Sequence, residues 1–323
     1  MFAVDPRALF VAVLRTVDYL NAHCRRAARG LYSSHPRKPL LTIQRVISGM
    51  INTKMLESAA SDYASSGCFL AERLFSQAEL ECIREEVAGA GHFKPAMTVK
   101  EDTATSVRSV YGGYDSSPTL RRLIDDSRLA ECAMHLLGSA VYVYQFKVNM
   151  KRAFVGDVWP WHQDFAFWKH LDGMRRPDAV TAALFVDDVT EFNAPMFYVP
   201  KSHRAGLYQR AQLYAEASAA DLQNRQPDVS SKLRFTVPEE VVSSLVAEHG
   251  LASVTAPRGS VFFFHPNLVH ASGLNISPFD RCQVLVTYNS MANVLPDKPS
   301  RPDYLVSPVA EQIVPRLGPI AVC

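Results

Sequence analysis

The feature that most limits the fold of this chain is a series of short strand-like segments in its C-terminal two-thirds. Residues 141–149 alternate with a period of two, so Gln145, Lys147 and Asn149 share one face and apolar residues occupy the other. Further apolar, strand-like runs lie at 179–186, 196–199, 260–265 and 283–288. Turns rich in Gly, Pro and Asn separate short strands in antiparallel barrels and jelly rolls. The sequence therefore predicts a mainly β jelly-roll fold with flanking helices.

Two helices are predicted before the strands. Ser76 and Glu79 have the spacing of a capping box, in which each residue binds the other's backbone N–H, so a helix is expected over 77–88. A second helix is expected over 118–137, with Asp125 and Asp126 on its polar side.

The first 56 residues differ in composition from the rest of the chain. No acidic residue occurs between Asp18 and Glu57, whereas basic residues accumulate there, and the first twenty residues could form an amphipathic helix. This composition is compatible with a helical extension that packs on the main domain, or with an organellar targeting segment. We therefore predict an extension at 1–56 and a main domain at 57–323. The polar, strand-poor segment at 204–250 is predicted to be a lid-like insertion.

Composition excludes several classes of partner. A net charge of +2 without a long basic run gives no reason to expect nucleic acid. The six cysteines include no C-x-x-C pair and are expected to be reduced thiols in the cytoplasm. No stretch of eighteen apolar residues occurs, so no membrane span is expected. The expected partner is a small-molecule substrate, bound by a monomer or a homodimer.

A set of possible metal ligands stands out against this background. His162 and Asp164 are two positions apart, so on a strand both side chains would face the same way. His270 would complete a two-histidine, one-carboxylate site for iron(II), which leaves coordination positions open for O2 and a co-substrate. Arg281, eleven positions later, offers a planar cationic fork for a carboxylate such as that of 2-oxoglutarate.

Two other histidines are rival ligands. His203 lies in a turn-like segment and is read more simply as a structural turn residue. His265 lies five positions before His270, so on a continuous strand the two would face opposite sides.

Several stretches around these residues resemble the phytanoyl-CoA dioxygenase superfamily of iron(II)- and 2-oxoglutarate-dependent oxygenases. The resemblance covers about residues 57–305 and is strongest for the branch of ectoine hydroxylases and the leucine 5-hydroxylase of the griselimycin pathway. The similar stretches are 145–149, 151–154, 161–165, 188–193, 270–279 and 301–304. The resemblance implies a double-stranded β-helix, also called a cupin-like jelly roll.

The resemblance also implies roles for individual residues. Iron would bind His162, Asp164 and His270, and 2-oxoglutarate would bind Arg281, Ser272 and Asn149. Gln145, Trp168 and Arg108 would contact the substrate, although each could instead be a packing or hydrogen-bonding residue of the barrel. Iron halogenases of this architecture carry a small residue where Asp164 stands, so the carboxylate favours hydroxylation.

The resulting functional hypothesis is hydroxylation of an unactivated aliphatic C–H bond in a small, leucine-like amino acid, in specialised metabolism. The cofactor would be Fe(II), with 2-oxoglutarate and O2 as co-substrates. A carrier-bound or late-stage natural-product intermediate is the alternative substrate, and an acyl-CoA a further one. A barrel that has lost catalysis is disfavoured, because His162, Asp164, His270 and Arg281 are all present.

Overall fold

The structure, a computed structural model, describes residues 53–88, 93–101, 106–208, 233–299 and 301–320. All of them belong to one compact unit, Ile47–Cys323. The predicted N-terminal extension lies outside the described residues except for 53–56, which begin the first helix. No helix in the described part of the chain has the length and apolarity needed to cross a membrane.

Helices and strands are numbered in chain order. The helices are α1 (Thr53–Ser66), α2 (Gln77–Ala88), α3 (Pro118–Ile124), α4 (Ser127–Leu137), α5 (Asp164–Asp172) and α6 (Glu239–His249). The strands are β1 (Cys68–Ala71), β2 (Thr98–Lys100), β3 (Val107–Tyr111), β4 (Val141–Lys151), β5 (Trp159–His162), β6 (Ala179–Phe185), β7 (Met196–Tyr198), β8 (Ala252–Val254), β9 (Val261–Phe264), β10 (His270–Ser272) and β11 (Arg281–Ser290).

The strands form two antiparallel sheets. The larger sheet has seven strands in the order β1-β9-β6-β11-β4-β3-β2, and the smaller has four in the order β5-β10-β7-β8. This arrangement, flanked by helices, agrees with the predicted fold class. Most strand-like segments in the sequence became strands because their alternating or continuous apolar residues suit one or two buried faces.

Alternation along the central strands divides the large sheet into two faces. On β4 and β11, Phe146, Val148, Val284 and Val286 pack into a core together with residues of α2, α3 and α4. The opposite face includes Leu285, which packs with residues of β6, β7 and β9. The side chains of the alternate β4 positions therefore point away from the helices, and these are the positions that carry the predicted site residues.

The predicted long helix over 118–137 is wrong in one respect: the structure has two helices. α3 ends at Ile124 and α4 begins at Ser127. Asp126 is extended and its carboxylate accepts a hydrogen bond from the backbone N of Arg128, so it is the N-cap of α4. Asp125 and Asp126 are buried rather than on a polar surface. The sequence pattern typical of a helix continues from α3 into α4 through the capping residue Asp126. It therefore did not reveal that the two helices are separate.

The predicted capping box is confirmed and has a second role. Glu79 accepts hydrogen bonds from the backbone N and the hydroxyl of Ser76 at 2.9 and 2.8 Å. The same carboxylate pairs with Arg128 at 2.7 Å and accepts from the backbone N of Ile320 at 3.1 Å. Glu79 therefore joins the start of α2 to α4 and to the C-terminal segment. Burial opposes ionisation, but Arg128 and Ser76 outweigh it and lower the pKa of Glu79 from 4.5 to about 2.

We expect Glu79→Gln to destabilise the protein by about 3 kcal/mol at neutral pH, because Arg128 keeps its charge but loses one of its carboxylate partners in the interior. Since the folded-state pKa lies below the unfolded value, the contribution is present above pH 4.5 and falls as the pH approaches 2. The difference from the wild type in denaturant unfolding should shrink over that window. Glu81→Gln, on the exposed side of α2, is the control and should change little.

Candidate iron and 2-oxoglutarate site

The two histidines of the predicted iron site lie on neighbouring strands of the small sheet. His162 ends β5 and His270 begins β10, and the two residues are register partners in the antiparallel pairing. Their ring centroids are 4.1 Å apart. One ligand atom from each histidine and from Asp164 lie within 4.8 Å of one another, and all three residues are buried. Strand pairing thus brings together ligands that are about a hundred residues apart in the sequence.

Backbone carbonyls fix the orientation of both imidazoles. The Nδ1 atom of His162 lies 2.7 Å from the carbonyl oxygen of Pro160, and that of His270 lies 2.8 Å from the carbonyl oxygen of Leu268. A carbonyl oxygen can only accept, so each Nδ1 carries the proton and each Nε2 keeps a free lone pair. This is the tautomer that a metal ligand needs. Burial, followed by the neighbouring His162, lowers the pKa of His270 to about 3, which keeps it neutral.

Asp164 reaches the site in a way that was not predicted. His162 and Asp164 were expected on one strand, but β5 ends at His162 and α5 begins at Asp164, with Gln163 extended between them. The Asp164 Oδ1 atom nevertheless lies 3.6 Å from His162 Nε2. The carboxylate lies beside the histidine because the strand ends and the helix begins between them. The prediction had explained the same proximity by alternation along a single strand.

The charge of Asp164 is favoured by a nearby cation. Burial on its own would raise the pKa of this carboxyl, but the ammonium of Lys147 is the largest influence that holds it below its usual value. The carboxylate is therefore ionised at neutral pH and can act as an anionic metal ligand. Two neutral imidazoles and one carboxylate form the donor set of the facial iron(II) site.

A cavity between the two sheets opens onto these ligands. The small sheet and α5 contribute the metal ligands, Ser272, Phe167 and Trp168 to its lining, and the large sheet contributes polar side chains from β4 and β11. The cavity is lined by Tyr111, Gln145, Lys147, Asn149, Trp159, His162, Asp164, Phe167, Trp168, Met196, Leu233, Phe264, His270, Ala271, Ser272, Arg281, Gln283, Leu285 and Arg301. Eight of the nine predicted site residues are among them.

Arg281 is a buried cation that has no carboxylate partner among the described residues. Its side chain donates one hydrogen bond, to Gln283 at 3.2 Å, and its Nε atom has no partner. Burial lowers its pKa to about 10, which still leaves the guanidinium charged at neutral pH. Burying an uncompensated charge is costly, so this arrangement fits a ligand that supplies a negative group.

Unsatisfied polar atoms test whether these residues fit iron and 2-oxoglutarate. Asp164 Oδ2, Ser272 Oγ and Arg281 Nε are all buried without a hydrogen-bond partner, and all three residues line the same cavity. The carboxylate oxygen suits a metal ion, whereas the hydroxyl and guanidinium suit the carboxylate of a dianionic co-substrate. The residues present therefore fit iron and 2-oxoglutarate. Asn149 also lines the cavity, and its Oδ1 atom accepts a hydrogen bond from Ser109 at 3.0 Å.

Two of the three predicted substrate contacts reach the cavity. Trp168 packs edge-on against Tyr144, with 5.1 Å between ring centroids, and Gln145 donates to the carbonyl of Leu305 at 2.9 Å. Arg108 is not brought to the cavity. Its guanidinium pairs with buried Glu101 at 2.9 Å and stacks on Trp159 at 3.8 Å. We therefore replace its predicted substrate contact with a supporting role behind Trp159.

The rival histidines lie together, outside the iron site. His203 and His265 have ring centroids 5.2 Å apart, and neither belongs to the cluster of possible metal ligands. His203 lies in a short 3-10 helix, as its turn-like sequence suggested, and His265 Nδ1 accepts from the backbone N of Asn267 at 3.0 Å.

Three residues that line the cavity or support its lining were not singled out in the sequence. Lys147 lines the cavity between Gln145 and Asn149, and the alternation of β4 was the signal that could have identified it. Arg301 also lines the cavity and pairs with the buried carboxylate of Asp172 at the end of α5. No local pattern links these two residues, because 129 positions separate them.

The predicted insertion at 204–250 is described only at its two ends. At the first end, the backbone N of Tyr208 donates to Gln163 at 2.8 Å. At the second, Leu233 lines the cavity and Phe235 packs against Phe167, with 4.9 Å between ring centroids. Residues 209–232 lie outside the described residues, so the lid remains a prediction, now with both of its ends beside the site.

Comparison with known proteins agrees with this geometry. The family described as Phytanoyl-CoA dioxygenase (PhyH) matches residues 63–282. The chain is 38% identical over 253 residues to the L-proline trans-4-hydroxylase of Streptomyces griseoviridis, covering 78% of this chain and 93% of that protein. It is 35% identical over 260 residues to the ectoine dioxygenase of Bordetella bronchiseptica, covering 79% of this chain and 80% of that protein.

Solved structures show the same fold. EctD from S. alaskensis, crystallised with 2-oxoglutarate and 5-hydroxyectoine, superposes with a TM-score of 0.70 at 26% identity, covering 91% of this chain and 98% of EctD. The same protein with bound Fe gives a TM-score of 0.69 at 27% identity, covering 85% and 90%. The predicted jelly roll is confirmed. The chain belongs to the phytanoyl-CoA dioxygenase family and is a non-haem iron, 2-oxoglutarate-dependent dioxygenase.

Proposed function

We propose that this dioxygenase hydroxylates an aliphatic carbon of a small free amino acid. The observation that carries the proposal is Lys147, a cation that lines the cavity beside the iron ligands and forms no ion pair with a described carboxylate. If Arg281 takes the co-substrate, Lys147 remains available for the carboxylate of a second small molecule. Phe167, Trp168 and Leu285 supply apolar wall for its carbon chain.

The relatives support this substrate class. The proteins named L-proline trans-4-hydroxylase and ectoine dioxygenase act on small molecules that carry one carboxylate. The leucine-like substrate suggested by the sequence is one member of this class, and proline is another. An acyl-CoA is disfavoured, because phosphates need several free cations. Besides Lys147 and Arg281, the described lining of the cavity offers only Arg301, which Asp172 neutralises.

The protein's own groups would divide the work. His162, Asp164 and His270 would hold iron, and Arg281 with Ser272 and Asn149 would hold 2-oxoglutarate. Iron with 2-oxoglutarate supplies the activation of O2 that C–H hydroxylation requires. Lys147, Gln145 and Trp168 would orient the amino acid so that one carbon faces the metal, while the aromatic walls exclude water. Asp164 occupies the position that halogenases leave to halide, which favours transfer of a hydroxyl group.

The test is succinate release from 2-oxoglutarate with iron(II) and ascorbate across a panel of free and carrier-bound amino acids. A hydroxylated product from a free aliphatic or cyclic amino acid is the expected result. Product from carrier-bound substrates alone would replace the proposal with its alternative, a role on a tethered intermediate in specialised metabolism.

We assign the reaction to the cytoplasm, since Cys68, Cys82, Cys132 and Cys282 are free thiols.

We expect Lys147→Met to raise KM for the amino acid by about 10- to 100-fold, because a charge-assisted hydrogen bond to its carboxylate is lost. Uncoupled turnover of 2-oxoglutarate and bound iron should stay near wild type. Lys169→Met removes an exposed lysine of α5 and serves as the matched control. An unchanged KM for Lys147→Met would remove this residue from the substrate site.

A further inference from the structure

Three neighbouring loops expose large apolar side chains at one end of the two sheets. They are the loops that follow β4, β6 and β10. Their exposed apolar side chains, which we call the apolar end face, are Phe154, Val155, Phe192, Leu274, Ile276 and Phe279. Ile276 is 77% exposed and Phe154 and Phe192 are each 69% exposed. Apolar patches at the upper end of what monomers expose are often functional.

Hydrogen bonds hold the three loops in one arrangement. Phe154 N donates to the carbonyl of Ser277 at 3.1 Å, which joins the first loop to the third. Asn193 donates to the carbonyl of Asp280 at 3.4 Å, which joins the second loop to the third. Phe154 has a φ of 59°, a strained value for a bulky residue, so its outward position has a conformational cost. The side chains are therefore presented by a fixed framework.

Two ion pairs lie beside the apolar end face. Arg152 pairs with Asp280 at 2.8 Å, and Arg84 pairs with Asp187 at 2.6 Å. A nucleic acid or an anionic membrane would require cations in excess of carboxylates. The three loops carry no excess of cations, and Glu191, exposed beside Phe192, makes the face slightly acidic, which disfavours both of those partners and leaves an apolar contact as the alternative.

The size of the face matches a dimer contact. A fully buried aromatic side chain contributes roughly 150–250 Å², so the three phenylalanines and three aliphatic residues expose roughly 600 Å² per copy. Two such faces would bury about 1,200 Å², the lower end of stable protein–protein interfaces. We propose that the apolar end face is the contact between two copies of this chain, related by a two-fold axis.

The contact would bear on the site through one loop. The loop of residues 273–280 connects β10, which carries His270 and Ser272, directly to Arg281 at the start of β11. A partner packed on Ile276 and Phe279 would therefore restrain the segment between the third iron ligand and the co-substrate arginine. The proposed contact itself does not depend on which substrate the enzyme uses.

The experiment measures the mass of the full chain by sedimentation equilibrium over a range of concentrations. The wild type is expected to be a dimer, and Ile276→Asp and Phe279→Asp are each expected to raise the dimer dissociation constant by about 100-fold or more. Val314→Asp is the matched control. Val314 is 72% exposed outside the three loops, so this variant should stay dimeric. Circular dichroism confirms that each variant is folded, and Ile276→Ser provides a milder variant.

Three outcomes would overturn the proposal. The first is a wild-type chain that stays monomeric up to about 100 μM. The second is a dimer that the folded Ile276 and Phe279 variants leave intact. The third is monomeric protein that binds vesicles of phosphatidylserine and phosphatidylcholine and loses this binding in Phe279→Asp. That result would assign the face to a membrane surface.

Discussion

Replacing Asp164 by alanine should abolish hydroxylation and reduce iron affinity by more than about 100-fold. The carboxylate is the only anionic member of the described ligand cluster, and one of its oxygens is buried without any other partner. Loss of groups that merely support a metal ligand already weakens binding about 10- to 100-fold, so loss of the ligand itself should exceed that range. Bound iron is measured by metal analysis after dialysis, and turnover by succinate release.

Asp178→Ala is the matched control for Asp164→Ala, because Asp178 is a surface aspartate paired with an exposed arginine. It should bind iron and turn over as the wild type does. A folded Asp164→Ala variant that keeps wild-type iron content would show that the ligand assignment is wrong. A variant that keeps iron but loses turnover would instead limit the role of Asp164 to the chemical step.

Replacing Arg281 by glutamine should raise KM for 2-oxoglutarate by about 100-fold or more, since a paired, charge-assisted interaction with a carboxylate is lost. The KM of Arg281→Lys for 2-oxoglutarate should lie between those of the wild type and Arg281→Gln, because an ammonium keeps the charge without the planar fork. KM for the co-substrate is measured with the amino acid saturating. Arg176→Gln, on an exposed arginine, is the control.

Stability provides a second measurement on the Arg281 variants. The guanidinium is buried with one hydrogen bond and has no carboxylate partner in the described part of the chain, so removing it should not destabilise the protein in the absence of 2-oxoglutarate. We expect the wild type, and not Arg281→Gln, to gain thermal stability when 2-oxoglutarate is added. Equal gains in both proteins would contradict the assignment of Arg281 to the co-substrate.

The sequence predicted those parts of the site that depend on local alternation or on spacing. The period-two pattern of β4 was enough to place Gln145 and Asn149 on one face, and the structure puts both in the cavity. The same pattern placed Lys147 on that face, but no role was assigned to it. The period-two pattern of β4 thus contained the information needed to identify Lys147, and only its interpretation was incomplete.

Other features depend on partners that are distant in the sequence. Arg108 was predicted to contact the substrate, but its guanidinium forms an ion pair with Glu101, which directly follows the neighbouring strand β2. Asp125 ends α3 and Asp126 caps the start of α4, and only the backbone conformation reveals this break. Asp164 stands at a strand-to-helix junction because the chain turns after Gln163, and hydrophobic periodicity does not record that turn.

Gln163, the residue between the proposed iron ligands His162 and Asp164, links that site to two other segments of the chain. Its side-chain nitrogen donates to the carbonyls of Gly206 and Asn267 at 2.8 and 2.7 Å, and its oxygen accepts from Tyr208. The side-chain amide of Gln163 therefore contacts both the turn at Asn267, which precedes His270, and the backbone at Gly206 and Tyr208. A change in the backbone at Gly206 or Tyr208 would therefore reach the strand-to-helix junction that positions His162 and Asp164.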